Sequence, residues 1–392
     1  MHRLLFLLAI ALGLGLPARA DLVLNVTLDY DLDRNHAANQ SVINDMAREL
    51  GNRIGQPVRL VMTENAERVG ECIRMGVFDL VLAPAHLIGM AMHHDYVPVA
   101  RSGKSTPILL VGKRSQGLSS LEQTRGKRLV LPHRDSLVSA VMRGEFIAKG
   151  LSLQKYYDRV THVTSYGAAL YALQAGQADL AAVKQEVFEE WAQRNPDLAI
   201  VTTLAEVPLA GVAVKAKLGE TLKQRIRVAF TQIGAGMEAK LRRVQLYGLG
   251  PADTADFTYI SQRGYYTPEV LPGAVIVTAE QVRQLMAKGA LLYDVRTQTD
   301  YRQGYIPGAI NLPYDMNSPK EVDYNDALDR FDVTHLPKDK NVPVIFQCGG
   351  AECWSSYKAS RYALKAGHKK VYWFEGGLPA WRAAGYPLEQ GT

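Results

Sequence analysis

Cysteine is scarce in this chain. Its 392 residues include three, Cys72, Cys348 and Cys353. Three thiols are too few for a disulfide scaffold, and without a clustered histidine they do not predict a zinc site. Blocks of like charge and basic stripes interleaved with aromatics are also missing, because the net charge of +6 is spread thinly. These absences argue against nucleic acid as a partner. Neither a metal nor a cofactor is predicted.

Long hydrophobic runs are missing too, with one exception at the N-terminus. Leu4 to Leu16 is apolar, follows the basic Met1-His2-Arg3 and precedes Ala18-Arg19-Ala20, which fits the A-x-A cleavage pattern. The run is shorter than the roughly 18 apolar residues that a membrane span needs. We therefore expect a signal peptide over residues 1–20, cleavage near Ala20, and a mature protein that is periplasmic or secreted. An uncleaved anchor is the alternative.

Alternating strand and helix patterns fill the rest of the chain. Apolar β-type runs alternate with amphipathic helical stretches over residues 21–251, and the alternation occurs twice. This order predicts two α/β lobes with mostly parallel sheets and a cleft between them. Residues 252–273 have little periodicity and several turn residues, which predicts a linker. A third α/β unit with its own strand and helix patterns is predicted over residues 274–392.

Short motifs in residues 21–251 follow a characteristic order. They are Leu28-Asp29-Tyr30, Glu49-Leu50-Gly51, Pro57 to Val61, Ile73 to Asp79, Ala83-Pro84-Ala85, Asp135 to Ser139 and Gln174 to Asp179. In this order they resemble the periplasmic phosphonate-binding family of ABC-transporter substrate-binding proteins. The resemblance implies a two-lobed, type II-like periplasmic-binding-protein fold. It also implies a small anionic ligand (a phosphonate, phosphate or sulfur oxyanion) and a transporter or sensor as membrane partner.

Two serines are the first candidates for ligand contact. Ser136 and Ser139 open a predicted helix, where hydroxyls and backbone N–H groups can hold an oxyanion. Plain N-capping uses the same donors and remains the alternative. Further candidates lie at analogous loop positions, as the resemblance implies: Tyr30, Ala85, His86, Ser165 and Tyr166.

The C-terminal unit carries three ordered motifs. They are Asp294-Val295-Arg296 followed by Tyr305 to Asn311, then Phe346 to Trp354, then Gly376 to Trp381. Together they resemble rhodanese-like domains, which implies an α/β fold with a parallel sheet and a cysteine that carries sulfane sulfur as a persulfide. Asp294 and Arg296 are expected to support and orient the fold. Trp354 is expected to pack in the core.

The loop that begins at Cys348 is the candidate active site. A strand ending before Cys348 places the thiol at the carboxyl edge of a parallel sheet. Gly349 and Gly350 let the backbone curl, so we expect the N–H groups of a loop completed by Ala351 and Glu352 to point at the sulfur and lower the thiol pKa. Cys348 is then the nucleophile.

Cys353 and Glu352 depart from the pattern of the resembled family. Cys353 replaces the basic residue that rhodaneses often have at the sixth loop position, and Glu352 is acidic. This change weakens the case for thiosulfate as donor and makes Cys353 a candidate resolving thiol.

The function that these patterns favour is an exported sulfurtransferase with a small-oxyanion-binding domain and a thiol acceptor. The alternative is a solute-binding receptor for a transporter or sensor, whose rhodanese unit is non-catalytic or exchanges thiols and disulfides. An inactive domain with a surface disulfide is also left open.

Overall fold

The structure is a computed structural model. It describes residues 21–29, 36–63, 66–103, 105–149, 151–246, 248–263, 267–268, 271–318, 320, 322 and 324–390, without the side chains of residues 36–38, 67 and 71. Two sheets are built from residues before 252, and a third is built from residues after 273. The predicted signal peptide lies outside the described residues.

The first two sheets and the helices around them are formed by residues 22–263. The strands are β1 (Leu22–Val26), β2 (Val58–Met62), β3 (Leu80–Pro84), β4 (Tyr96–Ser102), β5 (Thr106–Lys113), β6 (Arg128–Leu131), β7 (Arg159–His162), β8 (Leu180–Lys184), β9 (Leu198–Val207), β10 (Ala210–Lys215) and β11 (Gly250–Pro251). The helices are α1 (His36–Ile54), α2 (Ala66–Arg74), α3 (Ala85–Met92), α4 (Leu137–Ala148), α5 (Leu153–Tyr156), α6 (Tyr166–Gln174), α7 (Gln185–Ala192), α8 (Glu220–Leu241) and α9 (Thr254–Arg263).

The two sheets define two lobes. Lobe one has the strand order β11-β4-β10-β3-β1-β2, and lobe two has the order β7-β6-β8-β5-β9. The expectation of mostly parallel sheets was wrong in part, because β10 runs antiparallel to β3 and β5 runs antiparallel to β8. The chain crosses between the lobes from β4 to β5 and returns from β9 to β10. Each crossing adds a strand whose direction opposes the βαβ strands beside it.

The lobes are packed against each other. One hydrophobic cluster runs from α3 of lobe one, with Leu87 and Ile88, into α4 of lobe two, with Val138, Val141 and Met142. These side chains are almost completely buried. Helices α3 and α4 therefore close the interlobe cleft through apolar contact.

The segment predicted as a linker contains helix α9. Phe257 and Ile260 of α9 are buried in the cluster shared by the lobes, and the helix packs on α3 and α4. The flanking turn residues concealed this helix in the sequence pattern. The predicted domain boundaries themselves stay a prediction.

The C-terminal unit has a parallel sheet, as predicted. Its strands are β12 (Ala274–Ile276), β13 (Leu291–Asp294), β14 (Ile310–Asn311), β15 (Val344–Gln347) and β16 (Val371–Phe374). Its helices are α10 (Ala279–Ala287), α11 (Gln298–Gln303), α12 (Trp354–Lys365) and α13 (Gly377–Ala383). The strand order is β12-β16-β15-β13-β14, and every pairing is parallel. Within the described ranges, no helix has the length and apolar character required to cross a bilayer.

Candidate functional site

Cys348 lies directly after β15, the middle strand of the C-terminal sheet. The carboxyl ends of parallel strands are where such folds place ligands. Helix α12 begins at Trp354, with Cys353 as its N-cap residue. Residues 349–352 therefore form a short loop between a strand end and a helix start, as the sequence predicted.

Cys348 and Cys353 are joined by a disulfide in this structure. The Cys348 side chain is completely buried and belongs to an apolar cluster with Val295, Phe346 and Ala359. A disulfide sulfur is not a nucleophile, so this form of the loop is not ready to accept sulfur.

The expected ring of backbone N–H groups around the sulfur is not present in this oxidised form. The polar atoms that the described residues place nearest to Cys348 Sγ are oxygens, the Cys353 carbonyl and Ser356 Oγ, each at 3.1 Å. The Cys353 N–H donates instead to the Gly350 carbonyl at 2.9 Å. The Cys353 amide is therefore used within the loop and does not point at the Cys348 sulfur.

The loop backbone is fixed by close contacts with the start of α13. Gly350 has a φ of +127°, a conformation that favours glycine. Leu378 N–H donates to the Cys348 carbonyl at 3.2 Å, and a Cβ on Gly377 would lie 2.2 Å from that same oxygen. Glycine at position 377 is therefore required for the α13 backbone to approach the loop.

Residues outside the C-terminal sheet also touch the loop. Thr267 donates its N–H and its hydroxyl to the Ala351 carbonyl, at 2.9 and 2.8 Å. The His94 ring, in the segment after α3, contacts a carboxylate oxygen of Glu352, and both side chains are nearly buried. The loop is thus linked directly to lobe one.

Asp294 and Arg296 form an internal ion pair. Asp294 is fully buried and accepts from Arg296 Nε at 2.9 Å and from Nη2 at 2.5 Å. Arg296 Nη2 also donates to the Gly304 carbonyl at 2.8 Å. The pair ties the end of β13 to the end of α11 and contacts neither cysteine, which fits the supporting role proposed for both residues.

In the interlobe cleft, the carboxylate of Asp29 lies at the start of α4. Its Oδ1 accepts from Leu137 N–H at 3.1 Å, and its Oδ2 accepts from the Tyr166 hydroxyl at 2.8 Å and from Lys184 Nζ at 3.1 Å. Burial alone would raise the Asp29 pKa, but the Lys184 charge and these hydrogen bonds hold that pKa below its usual value. A carboxylate from lobe one therefore occupies the position where an external oxyanion was expected.

The candidate serines have internal partners. Ser136 Oγ accepts from Ser139 N–H at 3.2 Å as the N-cap of α4, and Ser139 Oγ donates to the Pro132 carbonyl at 3.2 Å. Ser165 caps α6 in the same way. These contacts match the plain capping alternative. Space beside Asp29 and Lys184 amounts to about 20 Å³, room for a single water molecule.

Two further candidates lie at the start of α3. Ala85 donates its N–H to the Leu209 carbonyl at 3.2 Å. His86 is completely buried, and its pKa is lowered to about 4, mainly by burial and also by the charge of Arg143, against the opposing effect of Asp29. Its imidazole is therefore neutral near pH 7. Tyr30 lies outside the described residues.

Comparison with known families identifies both parts of the chain. The description "ABC transporter, phosphonate, periplasmic substrate-binding protein" matches residues 24–257, more than half of the chain. The chain belongs to this family. A second description, "Rhodanese-like domain", matches residues 278–384. Both resemblances drawn from the motifs are confirmed, and the chain joins a phosphonate-binding-type domain to a rhodanese-like domain.

Curated relatives align with about the length of the rhodanese-like domain. A sulfurtransferase of Allochromatium vinosum is 31% identical over 114 residues, covering 29% of this chain and 92% of that protein. Thiosulfate sulfurtransferase 18 of Arabidopsis thaliana is 32% identical over 29% of this chain and 82% of its own length. The HTH-type transcriptional regulator Rv0324 of Mycobacterium tuberculosis is 33% identical over 31% of this chain, which spans only 47% of that regulator. Sulfurtransferases are thus among the relatives of this domain.

One solved structure agrees with the two-lobed fold. XAC2383 from Xanthomonas citri, bound to ATP, superposes with a TM-score of 0.50 and 18% identity, covering 61% of this chain and 95% of that one. PhnD1 from Prochlorococcus marinus, in complex with methylphosphonate, gives 0.48 and 16% over 61% of this chain and 96% of its own. At 18% identity, the similarity to XAC2383 shows the fold alone. The predicted fold class is confirmed.

Sequence reasoning missed several residues in both domains. Asp29 was noted only within a motif, although a lone carboxylate after an apolar strand and Lys184 ending an otherwise apolar β8 were available signals. In the rhodanese-like domain, Ser356 accepts from Trp373 Nε1 at 3.0 Å and contacts Cys348. Ser356 lies one turn into α12, where a helical pattern gives no sign of its role.

A second buried ion pair lies in the rhodanese-like domain. Lys358 of α12 and Asp329 are both fully buried, with 3.4 Å between Nζ and Oδ2, and Ser318 hydrogen-bonds to both. Burial lowers the Lys358 pKa to about 8 against the attraction of Asp329. This pair ties the segment around Ser318 to α12.

Proposed function

We propose that the chain is an exported, sulfurtransferase-like protein that carries sulfane sulfur as a persulfide on Cys348, coupled to a domain that binds a small oxyanion. One observation supports this most directly. The Cys348 sulfur lies at the carboxyl end of the central parallel strand and within bonding distance of Cys353. Sulfurtransferases among the relatives of this domain add support.

The reduced loop performs the transfer. The Cys348 thiolate attacks the outer sulfur of a donor RS–S⁻; the donor's S–S bond breaks, RS⁻ leaves, and Cys348 becomes a persulfide. An acceptor thiolate then attacks the outer sulfur and displaces the Cys348 thiolate. Reduction must come first, because Cys348 is buried and bonded to Cys353 in the oxidised loop.

Cys353 connects the persulfide with the disulfide. Its thiolate attacks the inner sulfur of the Cys348 persulfide, the Cys348–Cys353 bond forms, and the outer sulfur leaves as sulfide, which takes a proton from water. In the reverse direction, hydrosulfide opens the disulfide and leaves a Cys348 persulfide with a free Cys353 thiolate. The disulfide is thus the resting form of the site.

The phosphonate-binding-type domain holds a small anion, which is a phosphonate, a phosphate or a sulfur oxyanion. Support comes from its family and from related structures such as the methylphosphonate complex. A transporter is the expected membrane partner, and a small thiol or protein thiol is the expected sulfur acceptor.

Intact-protein mass spectrometry tests the persulfide. The full chain in a Cys72→Ser background is treated with hydrosulfide when oxidised, and with thiosulfate or polysulfide when reduced. Reduced Cys353→Ser should gain one sulfur atom and keep it, because no second thiol displaces it, whereas the reduced parent should lose it as sulfide and return to the disulfide, and Cys348→Ser should gain none. Failure of Cys353→Ser to take up sulfur from thiosulfate and from polysulfide would contradict the proposal.

A solute-binding receptor is the second candidate, and the disulfide itself favours it because it leaves no thiol at the site. In this case the rhodanese-like domain is a redox or docking module. In that case a ligand should stabilise the Cys348→Ser chain against heat as much as it stabilises the parent chain. The Cys353→Ser chain should also take up no sulfur. A Cys348/Cys353 reduction potential near those of thiol–disulfide exchange proteins would indicate redox exchange instead.

A further inference from the structure

A cavity of about 360 Å³ lies where lobe one, lobe two and the rhodanese-like domain meet. Its size falls within the range of small-molecule sites. Lobe one contributes Arg74 at the end of α2, lobe two contributes Arg134 before α4, and the rhodanese-like domain contributes Lys320 and Glu352. The rhodanese-like domain therefore forms part of the cavity wall together with both lobes.

Basic side chains dominate the walls of this cavity. Its described lining includes four of them, Arg74, Arg134, Arg143 and Lys320, against the two carboxylates of Asp135 and Glu352. Arg74 and Arg134 are exposed and, within the described parts of the chain, pair with no carboxylate. Guanidinium groups that converge from separate elements are suited to planar, bidentate recognition of an oxyanion.

The field of these arginines already acts on neighbouring groups. The pKa of His162 is lowered to about 4, mainly by burial and also by the charges of Arg134 and Arg143. Arg143 has the same effect on His86. An anion placed in the cavity would therefore meet a net positive charge from the four basic and two acidic side chains of its described lining.

Glu352 adds a carboxylate to the cavity, and its negative charge favours a positively charged group on the ligand. One of its oxygens is in contact with His94, whereas the other, Oε2, is shielded from solvent and has no hydrogen-bond partner among the residues that the structure describes. A buried carboxylate oxygen without a donor is costly, and native structures supply one. The part of the cavity wall that Glu352 forms thus calls for an ammonium or similar donor.

We propose that this cavity binds a small zwitterion, with its oxyanion group on Arg134, Arg143, Arg74 and Lys320 and its ammonium group on Glu352. The site differs from the interlobe anion position, which Asp29 occupies. The proposed ligand site does not depend on sulfur transfer, because ligand binding can be measured without any reaction.

Isothermal titration of the full chain tests the proposal with three matched pairs. The zwitterions are taurine, β-alanine and 2-aminoethylphosphonate, and their amine-free partners are ethanesulfonate, propionate and ethylphosphonate. At least one zwitterion should bind about tenfold more tightly than its partner, which also identifies the oxyanion class. Binding by none of the three, or equal binding by each pair, would overturn the proposal.

Variants locate the site. Lys320→Gln and Arg134→Gln should each weaken zwitterion binding about tenfold, whereas Lys338→Gln, an exposed lysine of the same domain, should not. Glu352→Gln should remove the preference for the amine. Unaltered melting curves check that the variants fold. Wild-type affinity in Lys320→Gln or in Arg134→Gln would place the ligand elsewhere and reject this site.

Discussion

Each half of this molecule buries an aspartate–lysine pair, and the two pairs differ in what they join. Asp29 and Lys184 are 3.1 Å apart across the boundary between two lobes. Asp329 and Lys358 are 3.4 Å apart inside one domain, with both side chains fully buried. A charge pair across a movable boundary can be hydrated when the boundary opens, whereas a pair inside one core cannot. The first pair therefore fits a closure contact, and the second fits a structural one.

Removing the carboxylates should give the largest effect and should separate the two pairs. Asp329→Ala leaves the Lys358 ammonium buried without its partner and should lower the free energy of unfolding by about 3–5 kcal/mol. Asp29→Ala should cost less, about 1–2 kcal/mol, because the lobes can part and admit water to Lys184. Urea unfolding followed by region-resolved hydrogen exchange measures both.

Asp315→Ala is the control, because Asp315 is exposed in the same domain. It should leave unfolding unchanged. Equal losses in Asp29→Ala and Asp329→Ala would contradict the distinction between a closure contact and a structural pair.

Acid should weaken the binding domain through His86. The folded-state pKa of this residue is about 4, below the usual 6.5, so the unfolded chain binds more protons between these values. The stabilisation is complete above pH 6.5 and is lost as pH falls through 4, amounting to roughly 3 kcal/mol. Unfolding free energies measured from pH 7 to 4 should fall less steeply for His86→Gln. A parallel pH profile in that variant would show that His86 does not carry the effect.

Reduction of the disulfide should affect the other half of the molecule. The Cys348–Cys353 bond closes a short loop, and the chain-entropy estimate for such a loop is about 2 kcal/mol. Dithiothreitol should therefore speed hydrogen exchange in the rhodanese-like domain and leave lobe two unaffected. Cys353→Ser should reproduce the change without reductant. A similar change in lobe two would show that the two regions are not independent.

Removing a helix N-cap should give the smallest loss of stability. This loss should be the same in both halves of the molecule. Ser136 caps α4 and Thr278 caps α10 through side-chain oxygens that accept backbone N–H groups. Ser136→Ala and Thr278→Ala should each cost about 1 kcal/mol, measured by thermal unfolding. A much larger loss of anion affinity in Ser136→Ala than in Thr278→Ala would instead revive a ligand-binding role for Ser136.

Local sequence patterns were sufficient to predict helices and strands and the position of Cys348 after a strand. The helix that Ser136 and Ser139 were predicted to open begins at Leu137, and Cys348 follows a parallel strand as predicted. These features depend on periodicity and on motifs within a short stretch of chain.

Features that depend on distant contacts could not be predicted. Asp29 and Lys184 are 155 positions apart, so their pairing follows from how the lobes pack and not from either local sequence. Helix α9 is stabilised by burying Phe257 and Ile260 against lobes whose packing the sequence did not reveal. The burial of Cys348 likewise depends on packing against residues distant in sequence, such as Val295.

Helix α3 begins beside the cleft at Ala85 and His86 and ends at Met92, two residues before the contact of His94 with Glu352. It spans about 12 Å, and every residue from Ala85 to Ala91 is buried. Such an element moves as a rigid rod with its lobe. A rotation of lobe one away from the rhodanese-like domain would separate His94 from Glu352, so the position of this lobe is linked to the loop that holds Cys348.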